Sequence, residues 1–382
     1  MNGNSAHRQT VLLNGSLASS LINFRKPLIE ALVAANHDVH VSAPNIGEKL
    51  RQQLEGLGAT VHEVHLARTG LGLFSDLSYC RELRKLLRKI DADVMISYTI
   101  KPNIWGSFAA AGLKARSVLM VTGLGYAFIE GAGLKRRLVK AVSKILYAQA
   151  CLLSFRVIFQ NNDDLNFFVG NKILKDKRKA GLVNGSGVNL SEFTPTELPD
   201  HPVFLMIARL LVNKGVREYA SAAKIVKQKF PDAEFLLAGP YDEGPDTVSM
   251  QELSSWEKNG IRYLGELADV RPSLASCNVY VLPSYREGTP RTVLEAMAMG
   301  RAIITTDTAG CRETVVAGEN GILVPVADSI STARAMEILA ADKLLRASYG
   351  KTSRQFAKAK YESQTVAHSV MRISALTSLH DL

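Results

Sequence analysis

Short runs rich in Val, Ile, Leu and Phe alternate along this chain with longer stretches of helical periodicity. The apolar runs predict strands at 10–13, 38–42, 60–65, 93–97, 118–122 and 156–160, with helices between them, for example over 25–35 and 77–90. The pattern then restarts, with strands expected at 203–207, 234–238, 261–264, 279–282 and 302–305. Between the two series lies a segment, 193–202, that carries Pro195, Pro199 and Pro202 and reads as a linker. Strands alternating with helices specify α/β domains with parallel sheets. The expected architecture is two doubly wound, Rossmann-like domains, 1–195 and 196–357, binding ligand at the carboxyl ends of their strands.

Length agrees, because 382 residues exceed what one core organises. Apolar content of 47% with 21% charged residues is that of a globular chain. No apolar run reaches the roughly 18–20 residues of a membrane span. Residues 1–9 are polar and lack an apolar h-region, so no signal peptide is expected. Cys80, Cys151, Cys277 and Cys311 stand singly, without metal or disulfide spacing, which fits a reducing cytoplasm. Charge is uneven. Residues 1–195 hold 25 Lys/Arg against 14 Asp/Glu (+11), and residues 196–382 hold 21 against 22 (−1). The first half should therefore face something acidic: nucleic acid, phospholipid headgroups or a phosphorylated substrate.

Several chemistries lack their signatures. Gly70-Leu71-Gly72 and Gly123-Leu124-Gly125 do not extend to Gly-x-Gly-x-x-Gly, and no Walker A sequence occurs. Asp91-Ala92-Asp93 resembles a metal-binding pair but opens a strand, the wrong end of a parallel sheet for a ligand. His62 and His65, three apart on a strand, point to opposite faces and read as structural. No recognisable DNA- or RNA-binding module is present, so no nucleic-acid partner is expected.

Positive signals collect after strands. The strand at 279–282 leads through Arg286-Glu287-Gly288-Thr289-Pro290-Arg291 into a helix over 292–299. Gly288 allows close backbone approach, and the helix N-terminus favours an anion. Glu287 and Glu295 flank that point. Carboxylates repel phosphate, so they suit the neutral hydroxyls of a sugar or ribose, and the whole describes a nucleotide sugar. The competing reading is a helix start with ordinary first-turn acids. After the strand at 203–207, Arg209 and Lys214 enter the next helix, where two cations could grip a diphosphate. Asn14-Gly15-Ser16-Leu17-Ala18-Ser19-Ser20 reads either as a close backbone approach to a diphosphate or as a plain turn.

Taken together, Arg209 with Lys214-Gly215, and Glu287 with Glu295, resemble the retaining glycosyltransferases of family 4, which have the GT-B fold. The likeness extends to Gly185-Ser186-Gly187-Val188-Asn189, Gly310-Cys311-Arg312-Glu313 and Gly318-Glu319-Asn320-Gly321-Ile322-Leu323-Val324, and covers nearly the whole chain. The resemblance implies two domains facing each other across a cleft, with a C-terminal helix, about 358–382, returning to the first domain. It implies that Arg209 and Lys214 hold the donor diphosphate, Glu295 the ribose and Glu287 the donor sugar. Backbone around Gly288, Thr289, Arg291 and Thr292 would face phosphate or sugar, as would Gly15 from the first domain, with the base near Leu264 and Gly265. No metal or cofactor is implied; the UDP-sugar is a substrate. Where many members of this family carry a His, this chain has Tyr98, so a His base is unsupported. A front-face reaction, in which the departing phosphate takes the acceptor proton, suits it better. Lys101 reads either as orienting donor sugar or acceptor, with Asn103, or as a solvated charge.

Acceptor choice belongs to the first domain. Gly123 and Tyr126 lie in a Gly-rich aromatic loop. Beyond it Leu134, Leu138, Val142 and Ile145 share one helical face, while Arg136, Arg137, Lys140 and Lys144 cluster elsewhere. Such a helix either lies on anionic lipid or grips a lipid diphosphate, or it is a packed helix with a wet face. Tyr98-Thr99-Ile100-Lys101-Pro102-Asn103 and Thr122-Gly123-Leu124-Gly125-Tyr126 are similar to the bacterial branch that extends glycans on polyprenyl diphosphate. That likeness implies transfer of an N-acetylhexosamine from UDP at the inner face of the plasma membrane, with an anionic membrane surface as partner. The alternatives are a sugar-nucleotide isomerase or phosphorylase on the same scaffold, a transferase using another nucleotide sugar, or a nucleic-acid-binding protein using the basic half.

Overall fold

The apolar runs become the strands of two separate parallel sheets in a computed structural model that describes residues 8–66, 72–124, 134–241, 244 and 246–377. By contacts the chain divides into a first unit, Met1–Ser186 with Ser363–Leu382, and a second, Gly187–Glu362.

The first unit runs β1 (Thr10–Asn14), α1 (Ser19–Ala34), β2 (Asp38–Ala43), α2 (Glu48–Gly56), β3 (Thr60–Glu63), α3 (Leu73–Lys89), β4 (Val94–Tyr98), α4 (Ile100–Ala110), β5 (Arg116–Val121), α5 (Leu134–Leu153), β6 (Arg156–Phe159), α6 (Asn162–Gly170) and β7 (Ala180–Leu182). Strand order is β3-β2-β1-β4-β5-β6-β7. Alternation along the central strand feeds two helical layers: Val11 and Leu13 join the core under α1, whereas Leu12 joins the core under α3 and α4. Helix α1 begins at Ser19, earlier than the expected 25, so the small-residue loop shrinks to the residues just after Asn14. Strand β7, only Ala-Gly-Leu, has no apolar run to announce it. Asp93 accepts the amide of Thr10 (2.8 Å) and, with Asp91, pairs with Lys114, so the Asp-x-Asp segment is structural. His62 on β3 bonds His40 (2.8 Å) and stacks on it; burial, then the neighbouring His40, pushes its pKa down to about 4.

The second unit runs β8 (Val203–Ile207), α7 (Val216–Lys229), β9 (Glu234–Ala238), α8 (Met250–Lys258), β10 (Ile261–Tyr263), α9 (Arg271–Ala275), β11 (Val279–Leu282), α10 (Arg291–Ala298), β12 (Ala302–Thr306), β13 (Gly321–Val324), α11 (Ser329–Ala341) and α12 (Lys343–Lys360). Its strand order is β10-β9-β8-β11-β12-β13. The proline-rich stretch 193–202 belongs wholly to this unit and is pinned to it by arginines. Buried Arg301 donates to the carbonyls of Thr196 (3.2 Å) and Leu274 (2.7 Å), Arg354 to those of Phe193 (2.9 Å) and Ala298 (2.7 Å), and Arg346 to that of Asp200 (3.2 Å). The last helix, α13 (Ser363–Ile373), packs on α1 in the first unit, with Val366 and Val370 in its core. No helix among the described residues is long and apolar enough to cross a membrane.

Candidate active site

In the second sheet, chain order reverses between β8 and β11, which lie side by side. Ligands bind such sheets at that reversal, beyond the carboxyl ends of the strands. Arg209 lies two residues beyond β8 and is exposed, and Lys214 comes from the short turn before α7. From β11 comes the loop with Glu287, leading into α10. Lys214 Nζ lies 2.6 Å from Glu287 Oε1, and Ser284 Oγ donates to the same oxygen at 2.8 Å. One turn into α10, Arg291 Nε donates to Glu295 Oε1 at 2.7 Å. Each acid predicted from sequence is therefore met by a cation.

The two pairs differ in depth. Lys214 and Glu287 keep 22% and 15% of their side-chain surface, whereas Glu295 keeps 8% and Arg291 24%. Burial raises the pKa of Glu295 above the ordinary carboxylate value, with Arg291 opposing the shift. The N-cap of α10 is Pro290, which offers no capping side chain, so the helix dipole opens undamped onto the Glu287 loop. Thr292, in the first turn, touches the buried Tyr280 phenol, which also donates to the carbonyl of Ile207 (2.9 Å).

Neighbouring loops lock this edge. Gly310, at φ 77°, passes so near that a Cβ would lie 2.4 Å from the carbonyl oxygen of Glu287 and 2.5 Å from that of Gly288. That fixes the Glu287 loop from the side of β12. On the other flank, Gly239 N donates to the carbonyl of Gly265 (2.8 Å), and Leu264 N to that of Leu237 (2.8 Å). Leu264 and Gly265 thus sit at the same edge, beyond β10. Sequence reasoning missed Arg291 and Ser284 as the partners of the two acids. The i, i+4 spacing of Arg291 and Glu295 was the available signal.

The first sheet reverses between β1 and β4, and Gly15 and Tyr98 meet there. A Cβ on Gly15 would lie 2.3 Å from the Tyr98 hydroxyl. The phenol is buried, with its hydroxyl 3.0 Å from Ser20 Oγ and its ring 4.6 Å from the Arg25 guanidinium. Tyr98, which stands where the family often has a His and is a sequence candidate beside Lys101 and Asn103, frames the β1 loop, because burial and these partners hold it inward. Gly15→Ala is accordingly expected to destabilise the protein by about 1–3 kcal/mol in chemical denaturation, with part recovered by Tyr98→Leu in the same chain. Two further expectations are corrected. Lys101 lies in α4, not a loop, and its ammonium is 2.8 Å from Asp76 with both groups largely buried. Asn103 is fully buried and donates to the Met120 carbonyl (3.0 Å) and the Tyr147 hydroxyl (3.1 Å), so it serves the core. Thr99, between Tyr98 and Lys101, was not foreseen: its backbone is at φ 71°, ψ 164°, a strained conformation, and its hydroxyl is 2.8 Å from Ser16 Oγ. Gly123 lies two residues beyond the end of β5, at φ 121°. Tyr126 and the side chains of Arg136 and Arg137 lie outside the described residues. Lys140 is partly buried, and Lys144 is committed to Asn171 Oδ1 (2.7 Å) and the Phe167 ring (5.5 Å).

Two family models match: one described as Glycosyl transferases group 1 over residues 201–342, the other as Glycosyl transferase 4-like domain over 25–155. The chain is 31% identical over 370 residues to the Campylobacter jejuni N,N'-diacetylbacillosaminyl-diphospho-undecaprenol alpha-1,3-N-acetylgalactosaminyltransferase, covering 93% of this chain and 95% of that one. It belongs to the group 1, family 4 glycosyltransferases. As a member it is a hexosyltransferase. It is also 28% identical over 289 residues to the Escherichia coli UDP-Gal:alpha-D-GlcNAc-diphosphoundecaprenol alpha-1,3-galactosyltransferase, covering 72% of this chain and 73% of that one. Among solved structures, sucrose-phosphate synthase from Thermosynechococcus elongatus superposes with a TM-score of 0.80 at 17% identity, over 96% of this chain and 98% of that one. Anabaena HepE, solved with UDP, gives 0.77 at 16% identity, over 96% and 100%. These likenesses show the GT-B fold for this glycosyltransferase.

Proposed function

We propose that this glycosyltransferase moves an N-acetylhexosamine from a UDP-sugar to a sugar carried on polyprenyl diphosphate. In this reading it acts with retention, without a metal, at the cytoplasmic face of a bacterial membrane. The observation that carries the donor half is the meeting of two carboxylate–cation pairs at the reversal point of the second sheet. A donor diphosphate takes Arg209 and draws Lys214 away from Glu287. The released Glu287, still oriented by Ser284, accepts hydrogen bonds from the donor sugar hydroxyls. Glu295, whose charged form Arg291 favours against the effect of burial, accepts from the ribose.

As the anomeric C–O bond breaks, negative charge collects on the departing β-phosphate, where Arg209, Lys214 and the α10 dipole stabilise it. The same phosphate oxygen takes the proton of the acceptor hydroxyl, whose oxygen bonds the anomeric carbon on the face the phosphate leaves. No protein base is required, consistent with Tyr98 being enclosed. The two cations supply the neutralisation that a divalent ion would otherwise give. The acceptor half is supported by relatives named for diphosphoundecaprenol-linked substrates, one of them aligned over 93% of this chain.

Incubation with UDP-N-acetylgalactosamine, UDP-N-acetylglucosamine or UDP-galactose and a synthetic polyprenyl-diphosphate sugar tests this reading. UDP release should require both substrates and survive EDTA, and the product should be α-linked by NMR. A β-linked product would remove retention, inhibition by EDTA would remove metal independence, and release indifferent to the lipid acceptor would remove the acceptor class.

A further inference from the structure

The backbone is strained at one point on the ligand edge of the first sheet. Between β4 and α4, Thr99 stands at φ 71°, ψ 164°, a region glycine enters freely and a β-branched residue only at a cost in stability. The other described non-glycine residues at positive φ lie between 49° and 62°, and none of them is β-branched. Thr99 is also the N-cap of α4, a place where a threonine hydroxyl normally accepts an amide of the first turn. Here that hydroxyl caps nothing and lies 2.8 Å from Ser16 Oγ, in the loop between β1 and α1. The strain thus serves the loop rather than the helix.

The remainder of the loop is held from the core side. Asn14, fully buried, accepts from Ser42 Oγ (3.0 Å) and donates to Ser97 Oγ (3.3 Å), tying the ends of β1, β2 and β4 together. The Gly15 amide donates to the Ser42 carbonyl (2.9 Å), and Tyr98 fills the space beside Gly15. Ser16, partly exposed, lies beyond these contacts, and the Thr99 hydroxyl meets it there. We infer that Thr99 is a positioning residue for sugar transfer: its strained backbone carries a hydroxyl to Ser16 and so fixes the 15–17 loop for the reacting diphosphate-sugar. Glycine at 99 would relax the turn but lose the clasp, so the chain keeps a less stable residue for the sake of geometry. The inference deepens the proposed function, because it rests on the reading that the Gly15 loop faces phosphate or sugar.

Thr99→Gly, Thr99→Ser, Ser16→Ala and the double variant T99G/S16A test it in the full-length protein, by urea unfolding and by UDP-release kinetics. Thr99→Gly should unfold at higher urea, yet lower kcat about thirtyfold with donor KM changed less than about threefold, since misplacement slows chemistry more than binding. Thr99→Ser keeps the hydroxyl and should stay within about threefold of the unaltered kcat. Ser16→Ala should be as slow as Thr99→Gly without its gain in stability. The double variant should be no slower than either single one, because both remove the same clasp. An unaltered kcat for Thr99→Gly overturns the inference, as does a Thr99→Ser as slow as the glycine variant. Losses that multiply in the double variant overturn it too, since each hydroxyl would then act on substrate separately. These results leave the proposed function standing. No UDP release by the unaltered protein with any of the three UDP-sugars defeats that function and the positioning role together.

Discussion

Glu295→Gln is expected to lower kcat/KM for the UDP-sugar about a hundredfold while making the protein more stable at neutral and alkaline pH. Hydrogen bonds to a charged acceptor are worth about 1.5–3 kcal/mol against about 0.5–1.5 for neutral ones, and two ribose hydroxyls converging on one carboxylate multiply the difference. The amide oxygen can still accept from one hydroxyl, but its NH2 group cannot accept from the second. The stability change has the opposite sign. Burial raises the folded pKa of Glu295 above its unfolded value, so the folded chain holds this proton more tightly. Its favourable contribution is present below the unfolded pKa and is lost as pH rises through the raised folded value. The glutamine variant should therefore melt higher than the unaltered protein above that pH and lose its advantage in acid. Arg291, with 24% of its side-chain surface exposed, is solvated well enough to tolerate a neutral neighbour. Activity supplies an independent readout. Donor kcat/KM should fall on acidification through a pKa above the ordinary carboxylate range, and that limb should be absent in the variant. An unchanged donor KM for Glu295→Gln would remove this carboxylate from the nucleotide site.

The sequence pattern carried the architecture wherever a strand was buried on both faces. Val203–Ile207 and Val279–Leu282 are uninterrupted apolar runs, and they became the two strands at the reversal point of the second sheet. Strand β7 escaped because an edge strand needs little apolar content, and Ala180–Leu182 includes a glycine; β13, Gly321–Val324, is apolar but only four residues long and opens on a glycine. Prolines at 195, 199 and 202 mark a connector in the sequence, yet the units divide between Ser186 and Gly187 and the stretch lies inside the second, fastened there by Arg301, Arg346 and Arg354, whose carbonyl partners leave no trace in composition. At the site, acids and cations could be placed at strand ends from spacing alone. The i, i+4 spacing could pair Arg291 with Glu295, but nothing local could pair Lys214 with Glu287, which lie 73 positions apart. Tyr98, Lys101 and Asn103 follow a strand end, the position where ligands gather, yet each is absorbed by packing or by a neighbour. Position nominates a residue; burial decides its role.

Glu287→Gln is expected to bind UDP a few-fold more tightly than the unaltered protein and to turn over UDP-sugar about a hundredfold more slowly. Without ligand, Glu287 holds Lys214 at 2.6 Å, so a diphosphate must compete for that ammonium. Neutralising the carboxylate frees Lys214 for UDP, which carries no donor hexose to miss the acid. With the full donor, loss of the acceptor for sugar hydroxyls dominates. Lys214→Met should act differently, weakening UDP and lowering kcat/KM about 10²–10³-fold, the usual cost of removing one group aimed at developing charge. It should also destabilise the fold by about 2–3 kcal/mol, somewhat below the value for a fully buried broken pair because Glu287 keeps some water. The combined variant K214M/E287Q should regain most of that stability and none of the activity, since methionine and glutamine leave no charge unpaired. Calorimetry with UDP, denaturant unfolding and UDP-release kinetics across the four proteins separate these terms. Equal weakening of UDP by both single variants would place Glu287 on the nucleotide side and defeat the exchange of partners proposed for donor binding.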